Sequence, residues 1–538
     1  MLNESPRREF LKRVAGAAAM TLPAAVATEE AFGEEVQPNA VDQRAKAVFN
    51  IADFGAAPNG KTLCTPAIQK AVDACARAGG GEVLIPAGQF LTGPIFLKSN
   101  LHVNVSAGAH LLFTTDIESV PAIEGSWEGL EARTYASLFT GMDLENVFIT
   151  GQGVLDGQGE VWWNAFHATR ELRRLASIDG KREVPNPPGS PLKYGRPRTI
   201  NLYRCRNVRI SGITIRNSPA WHIHPVRCEN MVIDGVTIQA PASSPNTDGI
   251  DPDSCNNLRI SNCTISVGDD CIIIKSGYAF SPQAVPCQNV TVTNCVFGSG
   301  HAGVGIGSET AGGVSNIAIS NCVCDGTDRG LRFKTARGRG NIIENIRADN
   351  IVMRNVPEAV VVTMFYNGGN LHAAEPVTEE TPTFRSIHLS GIIAAGAKRA
   401  AIIEGLAERP IEELSLSNFL AEGAAEGIAC TNVKHMTFDN VVINAQQGPP
   451  LSVDTVHDLE LYRFSTRAPH GGEPVVRFAD VNGAVVQSCT APEGTGTFLE
   501  LRGTGNRDIS MFTNRLGGAR HEVGLTGGAT EAAIVKRG

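Results

Sequence analysis

One pattern of apolar and polar positions recurs through the middle of the chain. NVRISGITI from Asn207 is followed by NMVIDGVTI from Asn230 and NLRISNCTI from Asn257. NVTVTNCVF from Asn289, NIAISNCVC from Asn316 and NIRADNIVM from Asn345 continue it, and NVFITG from Asn146 precedes it. Weaker copies begin near Ser386, Glu413, His435, Asp458, Gly483 and Asp508. Within each copy apolar residues alternate with polar ones, which puts one face of a strand inside. The Gly or Asn at the sixth position tolerates a left-handed backbone and turns the chain into a second short apolar run. Hairpin signals between copies are mostly missing, so successive strands do not fold back on one another as in an antiparallel sandwich. From Asn207 on, copies recur mostly at twenty-odd to low thirty-odd residues, the length of one turn of a solenoid. The pattern predicts an all-β chain wound as a right-handed, single-stranded parallel β-helix of about a dozen coils.

The flanks complete this picture. FNIADFG from Phe49 reads as a strand, with a turn at Pro58-Asn59-Gly60. Residues 65–75 carry apolar side chains at helical spacing, with Thr65 as the expected N-cap, Pro66 at the first helical position and Gly79-Gly80-Gly81 as the stop. A short N-terminal helix there would cap the open end of the solenoid, whose bare edge invites aggregation. The first strands are expected at 82–86 and 101–105. Residues 165–199 break the rhythm with a helical, basic, then proline-rich insertion, and residues 364–384 break it again around Met364-Phe365-Tyr366-Asn367. Such insertions usually rim the binding face. The expected organisation is a leader at 1–33, a linker at 34–47, a catalytic β-helix at 48–445, and further coils with a short tail at 446–538.

Composition changes the picture little. Glycine is abundant (57 of 538 residues) and aromatics are 6%, which suits short strands and tight turns. The net charge of −8 gives no reason to expect nucleic acid, and an anionic substrate would need a locally basic cleft. At the N-terminus, Arg7-Arg8 precedes a weakly apolar run, 14–22, and an Ala25-Val26-Ala27 cleavage site. This reads as a twin-arginine export signal, too short to span a membrane once cleaved, so the protein is expected in the periplasm or beyond. Thirteen cysteines form no metal-ligand cluster. Cys263, Cys271, Cys295, Cys322 and Cys324 sit within or beside apolar strand patterns and read as stacked free thiols, although an oxidising compartment would allow a disulfide or two.

The candidate chemistry lies between Asn246 and Lys334, in SPNTDGIDPDSC, VGDDCIIIKSG, GSGHAGVGIGSE and RGLRFKT. Asp248 to Asp269 is 21 residues, Asp270 to His301 is 31, and His301 to Arg332 is 31. At about one coil per step, each motif falls on the rung after the last, so all four share one surface. Glycoside hydrolysis needs one carboxylic acid to protonate the leaving oxygen and a carboxylate to activate water. Asp269 and Asp270 cannot both face the same side of a regular strand, but a strand end or bend would let both reach a cleft with Asp248. Crowding would keep one of them protonated. Arg332 and Lys334, two apart, share a face and could bind a sugar carboxylate. His301 could tune the acid or hold substrate. Asp251 and Asp253 fit a cleft lining or turn caps. His222 and His224 fit substrate contact or rim packing, and Lys275 fits a cleft or a solvated face.

These four motifs resemble those of the glycoside hydrolase family 28 polygalacturonases. They stand here as Asn246-Thr247-Asp248, Gly268-Asp269-Asp270, Gly300-His301-Ala302 and Arg332-Phe333-Lys334, within a resemblance covering roughly residues 48–445. It includes Ser218-Pro219-Ala220-Trp221 and residues 151–157. The resemblance implies a pectin-lyase-like solenoid that hydrolyses α-1,4-galacturonosidic bonds with inversion and needs no metal or other cofactor. It implies Asp269 as general acid, Asp248 and Asp270 as holders of water, and His301 as an assistant. Arg332 and Lys334 would bind the sugar carboxylate, with Asn246 and Lys275 completing the candidate substrate contacts. Ala302 and Phe333 depart from the family's glycine and isoleucine without changing the chemistry. A pectic polysaccharide is the implied partner of an enzyme expected to be monomeric. Rhamnogalacturonan or xylogalacturonan, cleaved by end-on or internal attack, would fit the same motifs. A calcium-dependent lyase or epimerase would need different acids, and a non-catalytic binding solenoid would not align acids on consecutive rungs.

Overall fold

The computed structural model describes residues 47–177, 190–278 and 284–535, so the expected leader, and the linker up to residue 46, lie outside the described residues. Strands stack in parallel, rung upon rung, into a β-helix. The core is a set of columns running along its axis. Ile149, Ile210, Ile233, Ile260, Val292 and Ile319 are successive register partners, each at most 1% exposed. Each such side chain contributes about 1.5–3 kcal/mol by leaving water. The thirteen cysteines are all free and all buried, as stacked thiols would be.

The corners explain why asparagine opens each repeat. The sixth-position residues Asn262, Asn294, Asn321 and Asn350 have φ of 54–58°, and Gly212 and Gly235 are also left-handed. A second left-handed residue, not foreseen from the pattern, is the leading asparagine itself. Asn146, Asn207, Asn230, Asn257, Asn289, Asn316 and Asn345 have φ between 54° and 58°. Their amides hydrogen-bond up the stack, for example Asn257 Nδ2 to Asn230 Oδ1 at 2.7 Å and Asn316 Nδ2 to Asn289 Oδ1 at 3.0 Å. These bonds offset the cost of a side chain in the left-handed region. The weaker copies keep the backbone and change the side chain. Ser386, Glu413, His435, Asp458 and Asp508 have φ of 53–58°, and there the ladder gives way to contacts such as His435 Nδ1 to Asp458 Oδ2 at 3.3 Å.

Helix α1 (Thr65–Arg77) buries Ala67, Ile68, Ala71, Val72 and Cys75 on one face. The N-cap is Cys64, not Thr65, and it makes no side-chain cap bond. Thr65 is already helical, and its Oγ1 accepts from the Gly93 backbone N–H at 2.5 Å, which ties the helix to the chain beyond the next strands. The expected strand at 49–55 also ends early. It stops at Asn50, whose side chain accepts from Ala52 N–H and starts a short 3-10 turn, Ile51–Phe54.

Two structures stand on the solenoid. Strands β1 (Ala122–Trp127) and β2 (Leu130–Tyr135) form an antiparallel hairpin that the sequence pattern did not reveal. Helix α2 (Glu160–Ser177) opens the first expected insertion, starting a little before residue 165. Between them lies a floor of parallel strands: β3 (Ile200–Tyr203), β4 (Ile223–Val226), β5 (Ile272–Ile274), β6 (Val304–Ile306), β7 (Arg329–Lys334) and β8 (Glu358–Thr363). Isolated bridges at Ile250 and Asp253 supply the rung between β4 and β5. Past residue 445 the coils continue, with Gln447–Tyr462 stacked in register on Glu426–Ile443.

Candidate active site

On the floor, Ile223, Ile250, Ile272, Val304 and Leu331 point into the core. The alternating positions, His224, Asp251, Ile273, Gly305 and Arg332, therefore form a column on the other face. Asp248 lies just before the Ile250 bridge, and Asp269 and Asp270 lie in a bend just before β5. That bend lets both neighbours turn to the same side. One oxygen from each of Asp248, Asp269 and Asp270 lies within 4.8 Å of the others.

Each carboxylate has its own surroundings. Asp270 is buried (2% side-chain exposure), with Lys334 Nζ 2.7 Å from Oδ2 and Arg332 Nη1 3.6 Å from Oδ1. Burial alone would raise its pKa, but Lys334 and Arg332 outweigh burial and hold it below the usual carboxylate range. Asp248 is buried without such a clamp. Burial first, then the neighbouring charges of Asp251 and Asp269, push its pKa well above the usual range. Asp269 is less buried, at 19% side-chain exposure. Its Oδ1 accepts from the Asp270 backbone N–H at 3.0 Å and meets His301 Nδ1 at 2.9 Å, leaving Oδ2 free to act. His301 is half exposed, and the hydrogen bond to Asp269 raises its pKa against the opposing effect of burial.

The remaining candidates fall into two groups. Arg332 keeps 17% of its side chain exposed beside the carboxylates, while Lys334 is 6% exposed and its ammonium is engaged by Asp270. The Tyr366 ring lies 5.7 Å from the Arg332 guanidinium and 5.3 Å from Lys334 Nζ, which brings the second insertion to the site. Lys275 is buried and salt-bridged to Glu309 at 3.0 Å, 5.5 Å from the Trp221 ring, so it is fixed in the wall. Asn246 Oδ1 accepts from Arg196 Nη2 at 2.6 Å. His222 and His224 are fully buried. Burial lowers the pKa of His222 to about 4 and that of His224 well below its ordinary value, so both are neutral packing groups. Asp251 is fully buried in the column, and Asp253 accepts from Gly277 N–H at 2.9 Å, a turn-capping bond.

Several site residues escaped the sequence reading. Arg196 and Arg198 are buried, and burial lowers their pKa values to about 10 and about 9. Arg198 lies 4.7 Å from the centres of both Trp127 and Trp221, which stack on each other. Glu309 pairs Lys275, and Glu128 stands at the hairpin tip. Arg196 and Arg198 close a basic insertion just ahead of β3, the one legible hint. Trp127, Glu128 and Glu309 lie outside the repeat. On distance alone the three aspartates could chelate a divalent cation, but Lys334 already supplies the positive charge at Asp270.

Comparison with known proteins identifies the family. A family model described as glycosyl hydrolases family 28 matches residues 75–442. A probable polygalacturonase of Vitis vinifera is 33% identical over 417 residues, 74% of this chain and 80% of its own. An endo-polygalacturonase of Pectobacterium carotovorum subsp. carotovorum is 28% identical, covering 65% of this chain and 82% of its own. Among solved structures, a hyperthermoactive exopolygalacturonase from Thermotoga maritima matches with a TM-score of 0.63 at 34% identity, over 72% of this chain and 91% of its own. This chain is a glycoside hydrolase and belongs to glycosyl hydrolases family 28.

Proposed function

We propose that this enzyme hydrolyses α-1,4-linked galacturonic acid in pectin. The observation that carries the reading is the aspartate trio within 4.8 Å, with the Arg332 guanidinium open at its edge. Asp269 protonates the glycosidic oxygen as the bond to the anomeric carbon breaks. Water held by Asp248 and Asp270 adds to that carbon and gives up its proton to Asp270, the carboxylate that Lys334 and Arg332 keep ionised. The opposite displacements of Asp248 and Asp270 leave Asp248 protonated, a donor that orients the water, and Asp270 ionised, the acceptor of its proton. Asp269, the most exposed of the trio, presents the acid. Arg332 receives a uronate carboxylate in a two-pronged contact.

The oxygen spacing is shorter than the roughly 6.5–9.5 Å between carboxyl groups usual for inversion, and nearer the roughly 5–5.5 Å of retention. We favour inversion because Asp270 is 2% exposed and clamped by Lys334, too deep to bond a sugar carbon directly. The test is digestion of de-esterified polygalacturonate with calcium chelated, in wild type and Asp269→Asn, with proton NMR of the first anomer formed. Saturated, inverted products that disappear in the variant are expected. Retained configuration would overturn the water-attack step. Unsaturated ends, or activity only with calcium, would replace the hydrolase by a lyase, and turnover confined to branched pectins would change the substrate.

A further inference from the structure

Next to the carboxylates lies a cavity of about 670 Å³ between the β1–β2 hairpin and α2. Arg133, Arg170, Arg173 and Arg196 line it, with the rings of Phe166 and Tyr194 among them. The Arg133 guanidinium lies 5.4 Å from the centre of Tyr194, and that of Arg196 lies 4.1 Å from the centre of Phe166. Residues 192–196 form its end wall, tied to the hairpin by the Lys193 backbone N–H on the Tyr135 hydroxyl at 3.2 Å. The opposing acids are Glu128, on the cavity wall, Glu124, 3.4 Å from Arg133 Nε, and Glu118, 3.5 Å from Lys193 Nζ. In a chain of net charge −8, this concentration of arginine is local.

The cavity opens onto the catalytic surface. Asn246 belongs to its lining, two residues from Asp248, and its side chain is held by Arg196. Apart from Asn246, the cavity is built from segments that precede β3 and β4, whereas Arg332 lies on β7, so cationic groups stand on both sides of the carboxylates along the stack. Arginine and aromatic rings together suit a uronate: the ring takes an apolar sugar face, and the planar guanidinium takes the carboxylate through two hydrogen bonds.

We propose that this arginine and aromatic cavity is an additional subsite that binds a uronate residue of the same chain being cleaved at Asp269. The proposal rests on the galacturonan reading of the active site and extends it to the segments outside the catalytic motifs. It makes the hairpin and α2 determinants of how much chain the enzyme grips.

The test is kcat/KM on oligogalacturonides of increasing length, for wild type and for the double variant Arg133→Ala with Arg170→Ala, both exposed positions. Wild type should gain with length. The double variant should lose about tenfold or more of that gain, the usual scale for hydrogen bonds to a charged group. Lysine at both positions should restore part of it, and carboxyl-reduced oligomers should show no difference between the enzymes. An unchanged thermal midpoint would separate binding from folding. If wild type cleaves galacturonides but the variant lowers every length equally, or none, the subsite is wrong and the active-site reading stands. If wild type cleaves no galacturonide of any length, both fall together.

Discussion

Lys334 decides the ionisation of Asp270, because it holds Oδ2 at 2.7 Å while Oδ1 has no hydrogen-bond partner among the described residues. Lys334→Met should leave a buried carboxylate with only Arg332 and the more distant Lys275 to offset burial, and removing one partner of such a pair costs about 3–5 kcal/mol. A carboxylate held low contributes stability above its unfolded pKa and loses it as pH falls through the folded value. Without Lys334, burial would dominate and the acid limb of kcat/KM should move to higher pH. The basic limb has a separate source. The contact of the His301 imidazolium with Asp269 is fully present below the ordinary histidine pKa, persists above it because the pKa is raised, and is lost as pH rises through the raised value. Urea titration with pH–rate profiles checks this, and an unmoved acid limb would refute the role given to Lys334. The candidate site residues were legible because a solenoid turns sequence spacing into vertical steps: Asp248, the adjacent pair Asp269 and Asp270, His301 and Arg332 come at coil-length intervals. Trp127, Glu128 and Arg196 were not legible, because they reach the site on segments outside the repeat, and neither length nor periodicity says where those segments land.

At the level of elements, the hairpin is the part most readily uncoupled from the rest. Its strands pair with each other alone, and its tip rests on the loop after β5. A Cβ on Gly129, which has φ of +78°, would lie 2.4 Å from Tyr278 N and 2.6 Å from Gly277 Cα. Gly129→Val should therefore lift the tip, displace Trp127 from Trp221 and lower kcat/KM roughly ten- to a hundredfold, the scale of small misplacements in a site. The thermal midpoint should barely change, since no solenoid rung is touched. A parallel loss of both would make the hairpin a structural brace instead. The alternating strands and the sixth-position corners were readable in the repeats. The left-handed leading asparagines were not, because their reason lies in the rung above and below. Thr65 was misread for a similar cause: local capping logic put its hydroxyl on the helix, whereas the fold uses it on Gly93.

In the whole molecule each rung touches chiefly its neighbours, so stability is distributed along the stack. Ile260 sits between Ile233 and Val292, while Ile509 lies near the end, between Ala484 and Ile534. Ile260→Ala should lower the main unfolding transition by about 2–5 kcal/mol and take activity with it. Ile509→Ala should instead bring forward an early, partial transition that leaves activity in place. Urea unfolding followed by circular dichroism and by residual activity distinguishes these outcomes, and identical single transitions would mean that the stack melts as one unit. The thiol columns bear on where this molecule can be made. Thirteen buried, unpaired cysteines mean that no cross-link has to form for the coils to close, so the chain reaches its final shape without an oxidant and a reducing compartment takes nothing from it. A thiol reductant should therefore leave its thermal midpoint where it is.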